Sequence, residues 1–422
     1  MTMPGSRLYP IGPRKTIAAA TGIIALAALS ACASHSNGAS SGGTGTGTGT
    51  VNVAVVQALT GPGAVDGQVN LEGSELAAAT INAAGGIKSL GGAKIHIISE
   101  DAGATTDTAA SATQLALSKG TISVGMGAEL SSQTLAMEPI WTRAKVPWIA
   151  GSVADPITKQ GSMYTFRESA STTTENEIIP KLLVQALKST DKPATSVAFA
   201  ADSTAAPTAN IQGLRTSFPA AGAKVVFSQQ WTPPLSDAVS LAQKIKTAGP
   251  SIVYTGATAT DDIINMRKAL VAVGVTALDF GTGVPNVSSA VLAGAGSAVN
   301  GYVAELPEAP VKAEAAIAQK FQAKYHTAFT GDAAYGYEEM YIAADALQAA
   351  KSTDPQKVRD ALATIDIKGS ELPAPWVAGG RIKYNSVGQN IYASVFFAQW
   401  QDGKVVTVYP TDQATGKLEV GG

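Results

Sequence analysis

Side chains that usually carry covalent or metal chemistry are scarce in this 422-residue chain. It contains one cysteine and three histidines. A single thiol cannot form an internal disulfide. His35 lies in a segment rich in Gly, Ser and Thr, whereas His96 and His326 lie far apart along the chain, and no histidine or cysteine stands beside either of these two at the spacing of a metal site. We therefore expect no disulfide framework, no metal site and no cofactor.

Sequence motifs of catalysis are missing as well. There is no Gly-x-x-x-x-Gly-Lys-Ser/Thr loop for a phosphate, and no Gly-x-Gly-x-x-Gly fingerprint follows the first strand-like run. The adjacent acids Asp261-Asp262 and Glu338-Glu339 stand at predicted helix starts, where attraction to the helix dipole accounts for them. We expect a protein that is not an enzyme.

An excess of either charge is also lacking. The chain has 30 lysines and arginines against 32 aspartates and glutamates, which gives a formal net charge of −2. No basic cluster is present that could neutralise a row of phosphates. Nucleic acid is therefore not an expected partner.

Small apolar side chains, by contrast, are abundant. Hydrophobic residues make up 45% of the chain, whereas aromatic residues make up only 6%. This composition suits helices that pack closely on a sheet. Because 422 residues exceed what one hydrophobic core usually organises, we expect two lobes.

The N-terminal residues have the layout of a signal peptide. Arg7, Arg14 and Lys15 form a positively charged region, and residues 17–30 form an apolar run too short for a stable membrane span. This order of charge and apolar residues predicts export across a membrane.

The apolar run ends in Leu-Ser-Ala-Cys at 29–32, which resembles a bacterial lipobox. The resemblance implies a lipoprotein signal peptide at 1–31 and a lipid on Cys32 that anchors the protein to the bacterial cell membrane, in a periplasm or at the cell surface. Residues 32–50 are rich in Gly, Ser and Thr and predict a flexible tether.

From residue 51 onward, short β-rich runs alternate with segments long enough for helices. Alternation of this kind is typical of a parallel sheet covered on both faces. Near the end of the chain, 382–384 and 394–397 flank a turn at 385–388 and predict an antiparallel hairpin. The expected fold class is α/β.

Three segments resemble the type I periplasmic binding proteins. They read Leu-Thr-Gly-Pro-Gly-Ala at 59–64, Ile-Asn-Ala-Ala-Gly-Gly-Ile at 81–87 and Tyr-Glu-Glu-Met-Tyr at 337–341. Within that class the chain looks like the branched-chain amino acid-binding group, and the resemblance covers residues 51–409. It implies two Rossmann-like lobes with parallel sheets, joined by a three-strand hinge.

The resemblance also implies how the chain is divided between the lobes. The N-terminal lobe is expected at 51–168 and 302–379, and the C-terminal lobe at 169–301 and 380–422. A ligand would lie between them, beyond the carboxyl ends of the strands, where helix N-termini offer unpaired N–H groups.

The implied function is extracytoplasmic solute binding. The protein would capture a small polar organic solute as a monomer and deliver it to the transmembrane subunits of an ABC importer. The alternative is a ligand-sensing receptor subunit that signals through a membrane partner, because the same fold serves both tasks.

Two segments of the first lobe match the ligand-binding motifs of the family. In Glu-Leu-Ser-Ser-Gln-Thr at 129–134, Ser131 stands where the family serine contacts the ligand carboxylate, with Ser132 beside it. Capping of a helix is the other role open to Ser131. In 150–156, Ser152 occupies a ligand-contacting position, and Ala154 stands where amino acid binders usually keep a threonine.

The second lobe departs from the family pattern. Ala206 and Pro207 replace an expected tyrosine-glycine pair, Thr258 replaces an aromatic residue, and the acid expected near Gly283 is absent. That acid normally pairs with the ammonium group of the ligand, and an unpaired buried ammonium costs several kcal/mol. We therefore expect a solute that is not a standard branched-chain amino acid.

Two further positions are candidates for ligand contact. Asp66, in the loop expected after the first strand, could replace the missing charge or remain a solvated loop residue. Tyr337, with Tyr335, could form an aromatic wall or pack in the core.

Overall fold

The computed structural model describes residues 49–61, 63–188, 190, 192, 194–368 and 379–420. The predicted signal peptide at 1–31, nearly all of the predicted tether and Cys32 lie outside the described residues, so these stay predictions. In the described part of the chain, no helix combines the length and the apolar content that crossing a bilayer requires.

The first sheet is fully parallel and has the strand order β2-β1-β3-β4-β5. Its strands and the helices between them follow one another along the chain as β1 (Thr50–Gln57), α1 (Ala64–Ala83), β2 (Lys94–Asp101), α2 (Thr106–Ser118), β3 (Ile122–Gly127), α3 (Ser131–Ala144), β4 (Trp148–Ile149) and β5 (Thr165–Phe166).

The second sheet has the order β14-β13-β10-β9-β8-β6-β7. Strands β6 to β10 run parallel, whereas β13 is antiparallel to both of its neighbours. The elements are α4 (Thr172–Lys188), β6 (Ser196–Asp202), α5 (Ala205–Ala220), β7 (Lys224–Trp231), α6 (Ala238–Ala248), β8 (Ile252–Gly256), α7 (Thr260–Val273), β9 (Leu278–Thr282), α8 (Ser289–Ala295), β10 (Val303–Leu306), β13 (Phe396–Gln401) and β14 (Lys404–Tyr409).

Between β10 and β13 the chain returns to the first sheet and adds to its core. Phe321, Leu347, Leu362 and Ile382 of this segment pack in the same hydrophobic cluster as β1. The chain therefore passes between the two lobes three times, after β5, after β10 and before β13. The elements of the returning segment are α9 (Ala315–Tyr325), α10 (Gly331–Ala350), α11 (Pro355–Thr364), β11 (Asp366–Lys368) and β12 (Arg381–Lys383).

Strand β1 shows why the first lobe has helices on both faces. Val53 and Val55 pack against α1 and α10, whereas Ala54 and Val56, on the opposite face, pack against α2 and α3. Burial of one valine side chain contributes roughly 1.5–3 kcal/mol. A central strand with apolar side chains on both faces is stable only when both faces are covered.

Two boundary predictions are wrong. Strand β10, which we expected in the N-terminal lobe, pairs with β9 in the second sheet. Strand β12, which we expected in a hairpin of the C-terminal lobe, pairs with β11, and Ile382 packs in the first core.

The predicted hairpin fails because the turn is held by another part of the chain. The carbonyl of Gly388 accepts a hydrogen bond from the N–H of Arg167 at 2.8 Å, and the N–H of Asn390 donates to the carbonyl of Arg167 at 2.9 Å. These bonds attach the turn to the first crossover, and β13 pairs with β14 and β10.

Helices α1 and α10 approach so closely that their backbones touch. A Cβ atom on Gly336 would lie 2.1 Å from the carbonyl oxygen of Asn70, and one on Gly73 would lie 2.1 Å from that of Ala333. The hydroxyl of Ser74 donates to the carbonyl of Gly336 at 3.0 Å. Glycine is required at both crossing points because any side chain would separate the helices.

We predict that Gly336→Ala lowers the free energy of unfolding by about 1–3 kcal/mol, since the added methyl group has no space. Urea denaturation measures the change. Ser111→Ala, which also introduces alanine but on the exposed face of α2, is the control and should stay within about 0.5 kcal/mol of the parent. Equal stability of the two variants would contradict the packing described.

Candidate functional site

A chain of hydroxyl groups lies at the carboxyl edge of the first sheet. The hydroxyl of Thr134, on α3, donates to the carbonyl of Ala128 at 2.7 Å, and the hydroxyl of buried Ser152 donates to the Thr134 oxygen at 2.8 Å. The segment after β4 is thereby attached to the start of α3. Ser152 keeps its oxygen as an acceptor.

Ser131 and Ser132 are the first two residues of α3, at the same edge. Leu130, not Ser131, is the N-cap, so the capping role considered for Ser131 is not the one observed. Ser131 is half-buried and Ser132 is exposed. The first N–H groups of a helix lack partners within it, so this turn offers donors to an anionic or polar group.

Tyr335, on α10, joins this edge to the first crossover. Its hydroxyl donates to the hydroxyl of Ser169 at 3.2 Å. A Cβ atom on Gly151 would lie only 3.3 Å from the Tyr335 ring, so the ring covers the backbone just before Ser152. Because Gly151 has no side chain, the Tyr335 ring can pack directly against the backbone at this position.

The guanidinium of Arg167 is buried where the crossovers meet. Its Nε donates to Gln389 Oε1 at 2.7 Å, one terminal nitrogen donates to the carbonyl of Ala154 at 2.6 Å, and the other donates to the hydroxyl of Thr158 at 3.3 Å. Ala154 therefore contributes its carbonyl, not its side chain, to the junction.

Hydroxyl groups also gather at the carboxyl edge of the second sheet. Buried Asp202, which ends β6, accepts hydrogen bonds from the N–H of Thr204 at 2.9 Å and from the N–H of Thr258 at 2.6 Å. The hydroxyls of Thr204 and Thr258 lie 2.7 Å apart. Burial opposes ionisation, but the bonds from Thr204 and Thr258 lower the pKa of Asp202 below its ordinary value.

A second polar group lies beside it along the same edge. The amide of Asn210, on α5, donates to the hydroxyl of Thr282 at 3.0 Å, and the hydroxyl of Tyr254 lies 3.3 Å from the same oxygen. The side-chain amide of Asn176, on α4, donates to the side-chain oxygen Oδ1 of Asn210 at 3.3 Å. These bonds align side chains from β8, β9, α4 and α5.

Two acids at this edge were not identified from the sequence. Glu305, on β10, is directly paired with Thr282 on β9, and Glu175 lies on α4. Burial raises the pKa of Glu175 to about 8, although the charge of Arg167 lowers it. Burial and then the charge of Glu175 raise the pKa of Glu305 well above its ordinary range. An acid is therefore available to the second lobe although none stands near Gly283 in the sequence, and the carbonyl of Glu305 accepts a hydrogen bond from the N–H of Gly283 at 2.8 Å. The sequence feature that could have identified Glu305 is its position as a glutamate inside the apolar run at 302–306.

Three further acids interact in the first lobe. Asp66 lies in the first turn of α1, not in a loop as expected, and burial raises its pKa. Burial and then the charge of Asp66 raise the pKa of Asp332 to about 7. Burial, followed by the charges of Asp332 and Asp66, raises the pKa of Glu129 well above its ordinary value.

The remaining predicted residues differ in their surroundings. Tyr337 is only 3% exposed, and its ring packs against Tyr341 at a centroid distance of 5.1 Å in the first core. Of the two roles considered for Tyr337, it therefore has the second, packing in the core, because the helical period directs Tyr335 to the edge instead. Ala206, in the first turn of α5, and Thr258, just after β8, are exposed.

This arrangement, with two largely parallel sheets, three crossovers and polar groups at the carboxyl edges, defines the class of protein. The family described as periplasmic binding protein matches residues 50–404. The chain belongs to this family, whose extracytoplasmic members are substrate-binding proteins of transporters and not enzymes.

Individual relatives agree with this assignment. The Leu/Ile/Val-binding protein homolog 7 of Brucella suis is 24% identical over 86% of this chain and 92% of its own length.

Two solved structures share the fold. A candidate branched-chain amino acid ABC transporter protein from Silicibacter pomeroyi has a TM-score of 0.78 at 17% identity, with 88% of this chain and 99% of that chain covered. A solute binding protein of an ABC transporter from R. palustris, solved in complex with benzoate, has a TM-score of 0.65 at 20% identity, with 89% and 99% covered.

The raised pKa of Asp332 predicts a pH dependence of stability. An acid whose pKa is higher in the folded protein than in the unfolded chain favours unfolding as pH rises from about 4 to about 7. Asp332→Asn should therefore flatten the unfolding free energy over this range, by at most about 1.4 kcal/mol per pH unit, and stabilise the protein at pH 7.

Chemical denaturation at several pH values tests this expectation. Asp107→Asn, on the exposed first turn of α2, is the matched control and should keep the parental profile. If Asp332→Asn also keeps that profile, the proton held at Asp332 is not coupled to folding.

Proposed function

We propose that this protein captures a small polar organic solute and delivers it to the transmembrane subunits of an ABC importer. It would act as a monomer outside the cytoplasm, attached to the membrane by a lipid on Cys32. Solute contacts would come from both lobes. The proposed set is Asp66, Ser131, Ser132, Ser152, Ala154, Ala206 and Thr258, with Tyr335 in place of Tyr337.

The observation that carries this proposal is the pairing of two polar edges around one set of crossovers. The segment after β4 touches the first turn of α4, where the N–H of Thr172 donates to the carbonyl of Val153 at 2.9 Å. Ligands of open parallel sheets bind beyond the carboxyl ends of strands. Two such edges connected by a hinge can close on one solute.

The side chains at the second edge favour a solute more polar than leucine. Thr258 stands where an aromatic residue is usual, and Thr282 and Asn210 add hydrogen-bonding groups beside it. Glu305 offers a carboxyl group that could give up its proton and pair with an amino group, so the missing acid in the sequence around Gly283 no longer argues against an amine. Benzoate in the R. palustris protein is consistent with ligands other than amino acids on this fold.

A thermal-shift screen of the purified protein against a solute library tests solute capture, because a ligand that binds only the folded state must raise the melting temperature. We expect a polar solute to raise it, and leucine, isoleucine and valine to leave it unchanged. Tight calorimetric binding of any of those three would overturn the proposed solute class and leave solute capture intact.

Once a solute is found, Thr258→Val should weaken its binding about tenfold, the loss of roughly one hydrogen bond. Thr247→Val, an equivalent change on the exposed side of α6, should bind like the parent in isothermal titration. Unchanged affinity of Thr258→Val would exclude Thr258 from the site.

The lipid anchor is tested separately by expressing the full chain with Cys32→Ser in a bacterial host. The variant should lose incorporation of radiolabelled palmitate and move from the membrane to the soluble fraction. Each buried methylene of an acyl chain contributes about 0.8 kcal/mol to membrane binding, so loss of the whole lipid releases the protein. Membrane retention without label would show that another element attaches the chain.

A further inference from the structure

Three buried glutamates from separate parts of the chain meet at the hinge. Glu168 lies on the first crossover, Glu308 on the second, and Glu338 on α10 of the first lobe. One carboxylate oxygen from each lies within 4.8 Å of the other two. Their exposed fractions are 2%, 5% and 0%.

Three carboxylates cannot all be ionised at this distance without a positive charge to balance them. Arg167 is adjacent to Glu168 in sequence, but its guanidinium donates to Ala154, Thr158 and Gln389 instead. The carboxyl group of Glu168, whose oxygens have no hydrogen-bond partner among the described residues, therefore holds either a proton or a cation.

The surroundings of the cluster favour a cation. Neither carboxylate oxygen of Glu168 has a hydrogen-bond partner among the described residues, and the same holds for both oxygens of Glu339 and for the hydroxyl of Tyr384. The Tyr384 ring packs 5.1 Å from Phe166, two residues before Glu168. Buried oxygens without partners are rare because they cost about 1–3 kcal/mol each.

We propose that Glu168, Glu308 and Glu338 bind a divalent metal ion at the hinge. Oxygen ligands lie about 2.3–2.6 Å from Ca²⁺, so oxygens that share one ion are separated by at most about 5 Å, as these are. A set of carboxylates with no thiolate or imidazole selects hard cations such as Ca²⁺, Mg²⁺ or Mn²⁺. Ca²⁺ suits this set best because it accepts irregular geometry.

Such an ion would connect two crossovers to α10 and so restrain the hinge. It would also revise the expectation of no metal site, which rested on the spacing of histidine and cysteine. The three glutamates are brought together only by the fold, so no local motif marks them. The site is independent of which solute binds between the lobes.

Metal content and thermal unfolding of the solute-free protein test this site. After treatment with EDTA, the protein is dialysed against CaCl₂, MgCl₂ or MnCl₂ and then against metal-free buffer. We expect Ca²⁺ to remain at one ion per chain by elemental mass spectrometry, and to raise the melting temperature by several degrees. If none of the three metals is retained and none changes the melting temperature, the proposal is overturned. Protons shared among the three glutamates would then neutralise their negative charge.

Variants show whether the ion lies in this cluster. Glu168→Gln and Glu338→Gln should each lose the bound ion and the thermal response to Ca²⁺. Glu138→Gln changes a buried glutamate elsewhere, on α3, and should retain both. A full response in Glu168→Gln would rule out this site. If the cluster variants do not fold, the metal content of the parent protein still decides.

Discussion

The buried guanidinium of Arg167 is the interaction on which the arrangement of the lobes depends. Its three nitrogens satisfy groups from the loop after β4, the following turn and the third crossover. Its backbone pairs with the turn that leads to β13. A guanidinium with its donors paired in this way fixes two crossovers relative to the first lobe, because leaving a buried charge unpaired costs several kcal/mol.

This junction accounts for the character of both edges. On either side of it, hydroxyl and amide groups are held by bonds to backbone carbonyls and to one another, so they are positioned before any solute arrives. Prearranged donors and acceptors, combined with a hinge, suit reversible capture of a molecule.

The repeated elements were predictable from the sequence because each depends on local pattern. The predicted alternation of β-rich runs and helical segments from residue 51 onward is confirmed: β1, β6 and β8 are central strands, and each is followed by a helix. Strands β10 and β12 were assigned to the wrong lobes because a short apolar run does not reveal its partner. Contacts with Arg167 and with β9 decide their places, and such contacts link distant parts of the chain. For the same reason, Glu305 and the glutamates at the hinge were missed, whereas a motif was enough to predict Ser152, which lies at the carboxyl edge of the first sheet.

A crystal structure of the protein with its solute measures the central claim most directly, which is that two polar edges share one bound molecule. The account predicts a solute that touches the segment around Ser152 and, at the same time, the group around Asp202 and Thr258, with Arg167 unmoved between them. A solute that contacts only one lobe, or that lies away from the carboxyl edges of both sheets, would contradict it.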